Sequence, residues 1–122
     1  MHRRDEHYFE YMQSYCPYEN VGYVKDFLVQ GNTQPSIFAT AGLSDYRVGY
    51  YECAKWIARI RESIREAKAE GGIKEPLVIM ETNMNAGHAG ASGRFDRLKE
   101  VSRDVAFLAT EFEIDNIDEK LK

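Results

Sequence analysis

Apolar and polar positions follow two rhythms along this chain, and the switches between them mark out helices and strands. Tyr8, Phe9, Tyr11, Met12 and Tyr15 recur at helical spacing and then run into Cys16-Pro17-Tyr18-Glu19-Asn20, which carries turn chemistry. The pattern predicts a short helix over about 7–15 that enters a turn. After the polar stretch Gly31 to Pro35, the compact run Ser36-Ile37-Phe38-Ala39-Thr40-Ala41-Gly42 predicts a buried strand. Cys53, Trp56, Ile57, Ile60, Ile64 and Ala67 then fall at intervals of three and four, while Lys55, Arg59, Glu62, Arg65 and Glu66 take the other faces. This predicts a helix over about 51–69, stopped by Gly71-Gly72. Leu77-Val78-Ile79-Met80-Glu81-Thr82 has a continuous apolar core, which suits a strand covered on both faces. Past the loop Asn83 to Gly93, Phe95, Leu98, Val101, Val105, Leu108 and Phe112 return to helical spacing, and the last ten residues read as a charged tail.

Strand, helix, strand, helix makes a βαβα portion of a mainly parallel sheet, so the fold class is α/β. Such a unit needs cover on both faces and neighbours along its edges. Two strands leave most of a sheet missing, and the expectation is a fragment or a chain that completes another. A small self-sufficient domain with unrecognised strands is the alternative.

At 122 residues there is room for a single domain. Charge interrupts the apolar residues every few positions, so nothing approaches the roughly 18 consecutive apolar residues of a membrane span. Met1 to His7 is too polar for a signal peptide. Cys16 and Cys53 stand far apart among apolar or aromatic neighbours, as buried thiols do, and a reducing cytoplasm is expected. The net charge is −4 and the basic residues are dispersed, which argues against a nucleic-acid partner.

Open α/β sheets gather their chemistry beyond the carboxyl ends of the strands. Asp45 follows the first strand and His88 the second, and parallel strands bring both loops to one edge. A carboxylate on one ring nitrogen fixes the imidazole tautomer that frees the other nitrogen to take a proton from a serine or cysteine nucleophile. Taken singly, Asp45 suits a cap of the following turn or helix, and a lone loop histidine is an ordinary polar residue. His2 and His7 are assigned that ordinary role. No second histidine or cysteine stands near His88 at ligand spacing, so no metal is expected. The aromatic set Tyr8 to Tyr15 reads as packing, and the charged residues of the long helix as its solvated face.

Three stretches carry a resemblance: Tyr11 to Val21, Ala41 to Trp56 with Gly42-Leu43-Ser44-Asp45-Tyr46-Arg47-Val48 at its heart, and Ala86-Gly87-His88-Ala89-Gly90-Ala91-Ser92-Gly93-Arg94-Phe95. In this order and spacing they resemble the C-terminal part of the prolyl oligopeptidase family of serine peptidases, within it the oligopeptidase B branch. The resemblance runs from about Tyr8 to Phe112. It implies a partial α/β-hydrolase fold, with Asp45 as the acid and His88 as the base of a triad ordered serine, aspartate, histidine. It implies that Arg47 contacts the substrate backbone, where the plainer expectation is a surface salt bridge. The implied reaction is peptide-bond hydrolysis after Arg or Lys in short peptides, without a cofactor.

The chain departs from the family at Cys16, Tyr51, Cys53 and Ala89, where members usually carry Ser, Trp, Pro and Gly. The segment Ala69 to Glu75 is also longer than usual. No Gly-x-Ser-x-Gly elbow occurs, and Ser14, Ser36, Ser44, Ser63, Ser92 and Ser102 all lie outside that context. The nucleophile is therefore expected upstream, the partners are a peptide substrate and the remainder of the catalytic domain, and the chain alone is expected to be inactive. The competing expectations are a truncated, non-catalytic fragment that binds a partner through its sheet edge, and a relative of acylaminoacyl peptidases or esterases.

Overall fold

The computed structural model describes residues 6–113. His2 and all but Glu113 of the expected charged tail lie outside those residues. The elements are α1 (Glu6–Tyr15), a 3-10 turn (Glu19–Gly22), α2 (Tyr23–Val29), β1 (Ile37–Gly42), α3 (Tyr50–Glu70), β2 (Val78–Asn83) and α4 (Arg94–Glu111). They fall into two compact units, one within Met1–Ile37 and Tyr51–Val78, the other within Phe38–Tyr50 and Ile79–Lys122.

In the first unit, α1 stops two residues before Pro17, whose ring cannot continue a helix. Asn20 Nδ2 donates to the carbonyls of Gln13 and Cys16 at 2.8 and 2.9 Å, beside the backbone N–H groups that they also accept. The sequence pattern misses α2, which buries only Val24 and Leu28 and is followed by Gly31, where φ is +85°. In α3, Ile57, Ile60, Ile64 and Ala67 are buried at intervals of three, four and three. With Val21, Val24, Leu28 and Val78 they make up the buried apolar set of this unit. The charged face of α3 is solvated except at Arg59, which stacks over the Tyr18 ring at 4.5 Å and donates to the Tyr18 carbonyl at 2.9 Å. Arg61 donates twice to the Val78 carbonyl, at 3.0 and 2.7 Å.

Among the described residues the sheet has two strands, β1 beside β2, and they run parallel. Ile37 N–H donates to the Leu77 carbonyl at 2.7 Å and Leu43 N–H to that of Asn83 at 2.9 Å, so the register offset is the same at both ends. The α/β reading holds. In the second unit α4 rests on the sheet through Phe107, whose ring lies 5.5 Å from Phe38, and through an Arg103–Glu81 ion pair.

Three expectations need correction. Both strands are half-covered rather than buried, Thr40 and Ile79 being exposed, because each has a single strand neighbour here. The apolar stripe of α4, for which the spacing set no facing, is uncovered: Phe95, Leu98, Val101, Val105, Leu108 and Phe112 are exposed, and α4 buries no residue. The aromatics of α1 are exposed as well, with Tyr11 packing edge-on against Tyr15 at 5.4 Å. Cys16 and Cys53 are free and half-buried rather than fully buried. No described helix is long and apolar enough to cross a membrane.

Candidate functional site

The site lies within the second unit and begins where β1 ends. Gly42 passes so close to the following loop that a Cβ there would lie 2.6 Å from the carbonyl oxygens of both Ala86 and Gly87. Only glycine permits that approach. Ser44 N–H donates to the Ala86 carbonyl at 3.1 Å, and Ala86 is the buried apolar residue of this unit among those described. The chain after β1 is thus pinned against the chain after β2, and the pinned segments carry Asp45 and His88.

Asp45 divides its two oxygens between two tasks. Oδ1 accepts the backbone N–H groups of Arg47 at 2.8 Å and Val48 at 3.0 Å, the cap that the sequence suggested. Oδ2 faces His88 Nδ1 at 2.9 Å. The Val48 N–H, more than His88 or the Arg47 N–H and against the cost of desolvation, holds the carboxyl below the usual carboxylate range. An ionised Asp45 accepts from His88, which places the proton on Nδ1 and leaves Nε2 as the nitrogen that can accept another. Asp45 is 11% exposed and His88 45%, so the acid is sheltered while the ring stays accessible. A cleft of about 420 Å³ opens beside them, lined among others by Thr40, Gly42, Asn83 and Glu100.

The Arg47 side chain is not brought to this pair. It lies on the exposed surface with its guanidinium 5.6 Å from the Tyr46 ring centre, does not line the cleft, and makes no ion pair among the described residues. The expected surface salt bridge is therefore not formed. Among those residues no three His, Cys, Asp or Glu side chains are grouped as metal ligands. Burial pushes the Cys53 thiol up, away from a reactive thiolate.

One residue of the site escaped the sequence. Glu100 of α4 accepts from Asn83 Nδ2 at 2.9 Å, from the Ala91 N–H at 3.1 Å and from Arg97 at 3.0 Å. These donors, the Asn83 amide foremost and then Arg97, hold its carboxyl below the usual range. Nothing in the pattern of α4 distinguishes Glu100 from a solvated helix carboxylate. Two of its partners, Asn83 and Ala91, come from the stems of the preceding loop.

The prolyl oligopeptidase family model matches residues 1–115. Among individual proteins, the chain is 44% identical over 106 residues to Protease 2 of Moraxella lacunata, an alignment covering 87% of this chain and 13% of that protein. It is 36% identical over 101 residues to dipeptidyl aminopeptidase BI of Pseudoxanthomonas mexicana, covering 83% and 12% respectively. A prolyl endopeptidase-like protein of Xenopus laevis is 28% identical over 114 residues, covering 91% and 15%. The chain thus spans less than a sixth of the length of these relatives. No solved structure matches it significantly.

Proposed function

This chain belongs to the prolyl oligopeptidase family, and on that premise we propose that Asp45 and His88 are the acid and base of a serine peptidase triad. The observation that carries the reading is the 2.9 Å contact between Asp45 Oδ2 and His88 Nδ1, on an acid already fixed by its own backbone turn. Nε2 takes the proton from a serine hydroxyl as that oxygen attacks the peptide carbonyl, and then returns it to the leaving amine. Asp45 keeps the ring in the right tautomer and stabilises the imidazolium. No cofactor takes part.

The serine and its oxyanion donors are supplied by the remainder of the catalytic domain. Two features support this: no Gly-x-Ser-x-Gly occurs in the 122 residues, and the stripe Phe95 to Phe112 stands exposed as a surface for further chain to cover. The chain alone is then inactive. The preferred substrates are short peptides cleaved after Arg or Lys, a preference that rests on the resemblance to the oligopeptidase B branch, as does the role of Arg47 at the substrate backbone. The free thiols Cys16 and Cys53 support a cytoplasmic setting.

A second reading, release of dipeptides from a free N-terminus, is favoured by the relative named dipeptidyl aminopeptidase BI. Fluorogenic peptides ending in Arg or Lys, with blocked and with free N-termini, test both on the full-length protein. Hydrolysis of blocked peptides that disappears in His88→Ala is the expected result. Hydrolysis of free peptides alone favours the second reading, and activity that survives His88→Ala removes His88 from the reaction.

A further inference from the structure

We propose that Glu100 is a positioning residue for His88, acting through a clamp on the loop that carries it; the catalytic part of this inference rests on the peptidase reading above. The loop between β2 and α4 spans ten residues, and its regular pairing is confined to a single bridge between Gly87 and Gly90. It buries one side chain, that of Ala86. Asp45 fixes the ring at one nitrogen, which does not by itself hold the backbone beneath the ring.

The Ser44–Ala86 hydrogen bond pins the loop before His88, and Glu100 adds a tie beyond it. One of its oxygens, Oε1, accepts from Asn83 Nδ2 where the loop begins and from the Ala91 N–H where it ends, at 2.9 and 3.1 Å. A single atom on a helix therefore ties both stems, eight residues apart in sequence, to each other and to α4. The second oxygen is occupied by Arg97, one helical turn before it. Gly90 lets the loop settle onto the carboxylate: its φ is +77°, and a Cβ there would lie 3.0 Å from Oε2. Glu100 is 17% exposed, whereas Asp96 on the same helix, paired with Lys99, is 63% exposed, as solvated ion pairs are. A base must be held within roughly 0.5 Å of its working position, and both stems of the loop bearing it need support for that.

The two oxygens have different duties, so two substitutions separate the clamp from the charge. In the full-length protein, Glu100→Ala removes the shared acceptor and is expected to lower kcat about tenfold or more, with KM within about twofold. Glu100→Gln keeps an acceptor at Oε1 and is expected to hold kcat within about threefold of wild type. The values are compared per folded molecule. A wild-type kcat in Glu100→Ala, or equal damage in both variants, overturns the proposal. Should Glu100→Ala fail to fold, Asn83→Ala, which deletes one donor to Oε1, is read by the same two criteria.

A wild-type protein without peptidase activity would defeat the peptidase reading while leaving the clamp open to measurement. The imidazole 15N shifts of His88 then decide. The Nδ1-protonated signature in wild type and Glu100→Gln, averaged between tautomers in Glu100→Ala, supports the clamp. Identical shifts in all three overturn it.

Discussion

Replacing Gly42 by alanine tests whether the site depends on backbone meeting backbone. The new Cβ would lie 2.6 Å from the oxygens of Ala86 and Gly87 and 3.0 Å from the Ala86 carbonyl carbon. An ordinary contact at 3.4 Å requires an opening of 3.4 − 2.6 = 0.8 Å. Because the opposing atoms are main chain, no rotamer change relieves the clash and the loop must retreat. A retreat of that size along the Ser44–Ala86 hydrogen bond would stretch it from 3.1 to 3.9 Å and break it. A lost hydrogen bond costs about 1 kcal/mol and overpacking about 1–3 kcal/mol, so Gly42→Ala is expected to destabilise by about 2–4 kcal/mol. His88 follows Gly87 directly and moves with it, and a misplacement of about 1 Å can cost on the order of 100-fold in turnover. Urea unfolding of the full-length protein gives the first quantity, and kcat on an Arg-containing peptide the second. A variant within about 0.5 kcal/mol of wild type at unchanged m-value, with turnover within about twofold, would refute the argument.

Three further outcomes are expected. Asp45→Asn retains an oxygen for the Arg47 and Val48 N–H groups and should fold, but its amide cannot accept from Nδ1; turnover of the full-length protein should drop by roughly 10⁴-fold, and near-normal turnover would exclude Asp45 from the triad. Asp45 binds its proton less tightly folded than unfolded, so its contribution is present at neutral pH and is lost as pH falls from the ordinary carboxylate value through the lowered one. Wild-type Tm should accordingly fall more steeply on acidification than that of Asp45→Asn, and parallel Tm curves would contradict the shift. Gly90→Ala imposes a left-handed conformation on alanine and should cost about 1–2 kcal/mol in urea unfolding, against no change if φ is not +77°.

What could be read in advance follows from how local each signal was. The core face of α3 was legible because Ile57, Ile60, Ile64 and Ala67 repeat across many turns. α2 runs for only seven residues, and its buried Val24 and Leu28 stand beside exposed Tyr23, Phe27 and Val29, so no period shows. For α4 the period was legible, but a stripe says only which positions want cover; Phe107 and Arg103, off that stripe, are what meet the sheet. The sequence offers Asp45 as a turn cap or as an acid partner, and a carboxylate with two oxygens serves both. Gly42 was visible as a strand terminator, yet the carbonyls it avoids lie more than forty residues ahead. Glu100 depends on contacts that span the loop and was beyond any reading of sequence alone.

The split between the Asp45 oxygens makes its mount independent of the ring it serves. Oδ1 is anchored by Arg47 and Val48 whether or not a histidine is present, so Oδ2 remains aimed at the same point in space. Truncating His88 to glycine would leave a preformed acceptor facing an imidazole-sized gap at an accessible surface. Free imidazole added to such a variant of the full-length protein has a berth that dictates its orientation, and turnover restored in proportion to its concentration would reveal a receptor built for a detachable base.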